Sequence, residues 1–196
     1  SSAASDVYKR QAPGQDRMHV EMIKSSETLS MMLYEFVKAV YVTNRVPSDW
    51  TTTVSQPIPK KINPKQVNDF RKITLCSIGY KIYAILLFNL MRPYLPELHD
   101  YQFGFTPERS CDDLLFVTGN VVTERWNRGL PTYILSLDLT KAFDHADIKL
   151  VPEMFKSYGV PHCLINRLIS SCFHEKNSIR WFGQQTQAVE KARGIK

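Results

Sequence analysis

The chain has 196 residues, 43% hydrophobic and 22% charged, an ordinary globular mixture able to build a core as one domain or part of a larger one. No apolar run approaches bilayer length and no secretory signal stands at the N-terminus, so a membrane-spanning or secreted chain is not expected. A formal net charge of +6 is compatible with an anionic partner such as nucleic acid, and is weak ground by itself because many soluble domains are mildly basic.

The first eleven residues, SSAASDVYKRQ, are small and polar without periodicity, and they read as a non-native leader or a disordered terminus. From Glu27, the residues Leu29, Met32, Leu33, Phe36, Val37, Val40 and Tyr41 recur at helical spacing, and Pro47 marks where that helix must have stopped. WTTTVSQPIPKK is β-branched, then broken by Pro57 and Pro59, the pattern of an edge strand. INPKQVND is a polar loop. A second helix is predicted from about Ser77 to Tyr94, and HDYQFGFTPERS is a loop. A third helix is predicted over Cys111–Arg128, entered through Asp112 and Asp113 and ended by Gly129 and Pro131. A strand follows over Tyr133–Leu139. Helices are predicted near Ile148–Tyr158 and Pro161–His174, then a hairpin of SIRWFG and TQAVEKA around Gly183-Gln184-Gln185. This mixture, without regular alternation, predicts an α+β fold with helices on a mainly antiparallel sheet.

Three features could carry chemistry. Asp138 ends the apolar run YILSLDL, where a lone buried carboxylate costs several kcal/mol unless it is paired or binds a cation. It either caps the turn that follows or ligates a metal beside a cleft. The stretch PIPKKINPKQVNDFRK sets Lys60, Lys61, Lys65, Arg71 and Lys72 against Asp69 alone; it is either a solvated hairpin or a basic finger that grips phosphates. The cysteines Cys76, Cys111, Cys163 and Cys172 are scattered, which suits a reducing compartment, and the set around His162, Cys163, Cys172 and His174 fits no common zinc spacing.

The order of seven segments carries a resemblance. APGQDRMHVEMIK, VPSDWTTTVSQPIPKK, NDFRKITLCSIGYKIYAILLFNLM, YQFGFTPERSCDDLLF, SLDLTKAFDHADI, YGVPHCLINRLISSCF and ARGIK follow one another in collinear order. Together they resemble the reverse transcriptase domain of non-LTR (LINE-like) retrotransposons and are similar to group II intron reverse transcriptases. SLDLTKAFDHADI matches the family's D-x-x-K-A-F-D in every fixed position. Two positions depart from it: Lys72 stands where the family has proline after its finger arginine, and Thr106 where it has arginine. The family's [FY]-x-D-D hairpin is not in this sequence, so the resemblance is to a domain truncated before that motif.

The resemblance implies a partial right-hand polymerase fold, with fingers mainly over residues 12–131 and an incomplete palm from 132. It implies an RNA-directed DNA polymerase that joins a primer 3′-hydroxyl to the α-phosphate of a dNTP on an RNA template, using two Mg²⁺ ions for which Mn²⁺ could substitute. Asp138 would be catalytic and hold both ions, with the Leu139 backbone carbonyl on one of them. Lys60 or Lys61, with Arg71, would contact the triphosphate, as would the backbone amides of Lys141 and Ala142. Phe143 would stack beneath the sugar and exclude a 2′-hydroxyl; plain core is the competing reading on pattern alone. Asp144 would support the turn or a neighbouring basic group. Arg109 and Ser110 would lie near template or nucleotide, with a structural salt bridge the alternative for Arg109. The chain as given is expected not to polymerise alone, and a non-catalytic RNA-binding relic is the alternative. Work inside the cell, in nucleus and cytoplasm, is expected.

Overall fold

A computed structural model describes residues 12–172, 175–190 and 194. The elements, in chain order, are α1 (Val20–Lys24), α2 (Glu27–Thr43), α3 (Ser48–Thr51), β1 (Thr52–Pro59), β2 (Phe70–Leu75), α4 (Ile78–Met91), α5 (Cys111–Asn127), α6 (Ala142–His145), α7 (Val151–Ser157), α8 (His162–Cys172), β3 (Lys176–Trp181), β4 (Gln184–Gln185) and β5 (Val189–Glu190). Residues up to Leu95 and from Ala142 onward form one compact unit, and Pro96–Lys141 form a second. The eleven-residue leader, Phe173, His174 and all of ARGIK except Gly194 lie outside the described residues.

In the first unit, Ser26 sets the start of α2 by accepting the Leu29 amide at 3.3 Å, which answers one of the amides a helix start leaves unpaired. Asn44 ends it in the left-handed conformation, φ 53°, before Pro47 is reached. The predicted apolar stripe is half used: Val37 and Val40 are buried and Leu33 and Tyr41 pack beside them, whereas Met32 and Phe36 stay exposed.

Trp50 in α3 is the hub of the core. Its ring lies 5.5 Å from Tyr83, 6.4 Å from Tyr80 and 5.8 Å from Phe36. Each fully buried side chain of this size contributes about 1.5–3 kcal/mol. Gly79 permits the approach, because a Cβ there would stand 2.7 Å from the Trp50 ring. A second apolar cluster joins Met91 at the end of α4 to Val160, Leu164 and Ile165. The Ile148–Tyr158 prediction resolves into a 3₁₀ turn, Ile148–Leu150, running into α7.

β1 is interior, which corrects the edge-strand prediction. It pairs antiparallel with β2 and parallel with β3. The parallel ladder spans only Thr52–Ser55, so Pro57 and Pro59 lie past it, where no second neighbour asks for their missing N–H. The prolines therefore end one ladder rather than mark an edge. β3 pairs antiparallel with both β4 and β5, so the sheet is mixed and mostly antiparallel. The hairpin turn falls at Phe182-Gly183, both at positive φ (46° and 81°), as a two-residue connection between Trp181 and Gln184 requires.

In the second unit, Ser110 and Asp113 close a reciprocal cap on α5: Ser110 Oγ accepts the Asp113 amide at 3.2 Å and Asp113 Oδ2 accepts the Ser110 amide at 2.7 Å. Gly129, at φ +66°, follows the helix end. The predicted strand over Tyr133–Leu139 does not form; this stretch carries no ladder and Leu135, Leu137 and Leu139 are exposed. A strand exists by pairing, and none of the described strands pairs with this segment, so its apolar alternation has no face to bury. Among the described residues no helix is long and apolar enough to cross a membrane.

Candidate active site

The basic hairpin is the turn between β1 and β2. Asp69 organises it: Oδ1 meets Lys61 Nζ at 2.8 Å, and Oδ2 accepts the amides of Lys65 and Gln66 at 2.8 and 2.9 Å. Hydrogen bonding from the Lys61 ammonium, then from the two amides, holds the Asp69 carboxyl at about 2, below its ordinary 3.8. The Lys60 amide bonds the Asp69 carbonyl at 2.8 Å, so the ladder runs one residue past β1. Alternation then gives Lys60 the face shared by Ile58 and its cross-strand partner Arg71. Lys60 Nζ donates to the Asn68 carbonyl at 3.2 Å, while the Arg71 guanidinium makes no hydrogen bond or ion pair among the described residues.

K-A-F-D begins with Lys141 at φ 50° and turns into the four-residue helix α6. The Phe143 side chain is 58% exposed. Asp144 Oδ1 accepts a hydrogen bond from Lys72 Nζ at 3.2 Å, which ties α6 to β2. α6 also meets Gly194. The Gly194 amide donates to the Ala146 carbonyl at 2.9 Å, and a Cβ on Gly194 would stand 2.8 Å from the Phe143 carbonyl oxygen and 2.9 Å from that of Asp144. Its φ of +89° suits glycine as well.

The remaining sequence-predicted residues belong to the second unit. Asp138 and Leu139 lie in the unpaired segment before Lys141, both exposed. The Asp138 carboxylate accepts no capping hydrogen bond among the described residues. Arg109 is folded into its own loop: Nη1 bonds the carbonyls of Asp100, His99 and Gln102, the last two at 3.4 and 3.3 Å, and Nη2 meets Asp100 Oδ1 at 3.2 Å. Its guanidinium also lies 5.8 Å from the centre of the Phe103 ring. Ser110 is the α5 cap already described. The structure thus brings Lys60, Lys61, Arg71, Ala142, Phe143 and Asp144 into one unit and leaves Asp138, Leu139, Lys141, Arg109 and Ser110 in the other.

Mg²⁺ prefers several oxygen ligands. Asp138 and the neighbouring Leu139 carbonyl could supply part of such a shell, but no three ligating side chains come together among the described residues, so they do not complete one.

Three residues escaped the sequence reading as members of this site. Asp69 was the lone acid in a basic run, a visible signal. Lys72 was visible as a departure from the family pattern without a partner. Gly194 lay in the ARGIK segment of the resemblance, but nothing local named its partner, because its contact is made across some fifty residues of chain.

Residues 58–195 match the family model described as reverse transcriptase (RNA-dependent DNA polymerase), and the chain belongs to this family. It is a reverse transcriptase domain of the non-LTR retrotransposon type. It is similar to the retrovirus-related Pol polyprotein from type-1 retrotransposable element R2 of Popillia japonica, 26% identical over 192 residues, which cover 96% of this chain and 26% of that protein. The Pol polyprotein from type-2 element R2DM of Drosophila melanogaster is 22% identical over 193 residues, 98% of this chain and 18% of its own length. The transposon TX1 149 kDa protein of Xenopus laevis is 25% identical over 161 residues, 81% of this chain and 12% of that protein. The chain spans about a quarter or less of the curated relatives it matches.

Proposed function

We propose that this chain carries the nucleotide-binding face of an RNA-directed DNA polymerase, with fingers over residues 12–131 and palm from 132, extending a DNA primer on an RNA template. The observation that carries the reading is the Lys72–Asp144 ion pair, which sets the basic hairpin beside the K-A-F-D turn. A dNTP offers a polyanionic triphosphate and a sugar with one apolar face. Hairpin cations and an exposed Phe143 ring match those two halves.

The two finger lysines divide the work. Lys61 is committed to Asp69 and holds the hairpin, whereas Lys60 shares its face with the unengaged Arg71. Lys60 and Arg71 are the phosphate contacts in this reading, and the resemblance adds the backbone amides of Lys141 and Ala142 as triphosphate contacts. Phe143 stacks beneath the sugar and rejects a 2′-hydroxyl. Asp138, with the Leu139 carbonyl, would hold Mg²⁺, which would neutralise charge and activate oxygen. Asp144 supports α6. Asp138 is the one carboxylate this reading gives the metal among the described residues, and on that reading this chain does not polymerise alone. Its work lies inside the cell, in nucleus and cytoplasm.

The test is dNTP incorporation on primed RNA with Mg²⁺ by the longer protein that carries this chain, compared with its Asp138→Asn variant. Loss of a ligand to both ions should cost roughly a thousandfold or more. A variant within tenfold of the unaltered protein would overturn the reading.

A further inference from the structure

The short helix α6 is met by two residues far apart in the chain, Lys72 and Gly194. From β2, Lys72 reaches Asp144 at 3.2 Å, with the two side chains 37% and 47% exposed. From the far end of the chain, Gly194 lies so close that a Cβ would meet the carbonyl oxygens of Phe143 and Asp144 below 3.0 Å, and its amide holds the Ala146 carbonyl. A helix of four residues has too few internal hydrogen bonds to hold its own orientation, so the direction of the Phe143 ring is set from outside.

We propose that Lys72 and Gly194 are positioning residues for Phe143, together setting how strictly the site separates dNTP from NTP. The inference rests on the reading of Phe143 as the sugar-facing residue. Lys72 and Arg71 are adjacent on β2 and point to opposite faces, so one strand serves two tasks: Arg71 faces away from α6 towards the phosphates, and Lys72 fixes α6. Where the family pattern has proline there is no ammonium to make this link, so the clasp is a property of this chain. An ion pair this exposed is worth little by itself. It changes the site because it acts on an element of only four residues, against whose backbone Gly194 packs too closely for a Cβ.

The experiment uses Lys72→Met, Lys72→Arg, the exchange Lys72→Asp with Asp144→Lys, and Gly194→Ala. Two readouts are taken: amide hydrogen exchange of residues 142–146 in this chain, and the ratio of dNTP to NTP incorporation by the longer protein. Lys72→Met should speed exchange by about two- to fivefold and lower the ratio by a similar factor through KM for the NTP. Lys72→Arg and the charge exchange should restore both. Gly194→Ala should lower the ratio further. Unchanged exchange in Lys72→Met overturns the clasp. Faster exchange with an unchanged sugar ratio overturns the positioning role. If the unaltered protein incorporates no nucleotide, the polymerase reading fails and the sugar-selection role falls with it, while the exchange data still decide the clasp.

Discussion

Asp16 Oδ2 accepts the amide of Ile78 at 2.9 Å across 62 residues of chain, and so caps the helix that contributes more buried residues than any other described element. Its neighbour Gly14 lies against the same place: a Cβ there would stand 2.5 Å from the carbonyl carbon and oxygen of Cys76 and 2.6 Å from the Ser77 nitrogen. The segment APGQD is therefore a bracket on the start of α4. Gly14→Ala should cost about 1–3 kcal/mol, since backbone cannot swing aside as a side chain can. Asp16→Ala should cost about 1 kcal/mol. Gly104→Ala, where a Cβ meets nothing within 4 Å, is the matched control. Urea denaturation of the three variants measures this, and equal midpoints would refute the bracket.

Tyr83 is fully buried with a hydroxyl that finds no hydrogen-bond partner among the described residues, and burial pushes its phenol above the ordinary value. Leaving a buried donor unpaired costs about 1–3 kcal/mol. Tyr83→Phe keeps the ring against Trp50 and removes that cost, so it should be neutral or stabilising by up to about 1 kcal/mol. A lower denaturation midpoint in Tyr83→Phe would show that the hydroxyl is satisfied in solution.

The basic hairpin should open in acid at Asp69. A carboxyl depressed to about 2 from 3.8 stabilises the folded turn fully above the ordinary value and loses that contribution as pH falls through the folded one. Amide chemical shifts of Lys65 and Gln66 should accordingly titrate with a midpoint near 2. The same signals should be flat in Asp69→Asn, and a midpoint at the ordinary carboxylate value would remove the Lys61 clasp from the account.

Arg109 distinguishes a structural from a nucleic-acid role by two separate measurements. Its guanidinium binds carbonyls of its own loop and the Asp100 carboxylate, so Arg109→Gln should speed amide exchange in Asp100–Phe103 severalfold. RNA affinity at fixed salt should change little. A large loss of affinity with unchanged exchange would assign Arg109 to the template instead.

Local pattern sufficed for the extent of α2, α4 and α5, because helical composition and the proline and glycine that bound it act within a few residues, whereas the caps at Ser26, Ser77 and Ser110 emerge in the structure. It also placed Lys60, Lys61, Arg71 and the K-A-F-D residues in a plausible site, since order along the chain is itself the family's signature. It misjudged β1, where prolines that end a parallel ladder look the same in sequence as prolines on an edge. Tyr133–Leu139 was misjudged for the complementary reason: alternation reports a strand's readiness to pair, while the ladder needs a second strand. The sequence by itself determined the longer helices and where the basic residues cluster. Tertiary structure alone decided that Lys61 is spent on Asp69, that Lys72 holds Asp144, and that Gly194 backs Phe143. Those facts depend on distances between segments far apart in the chain, and no local propensity encodes them.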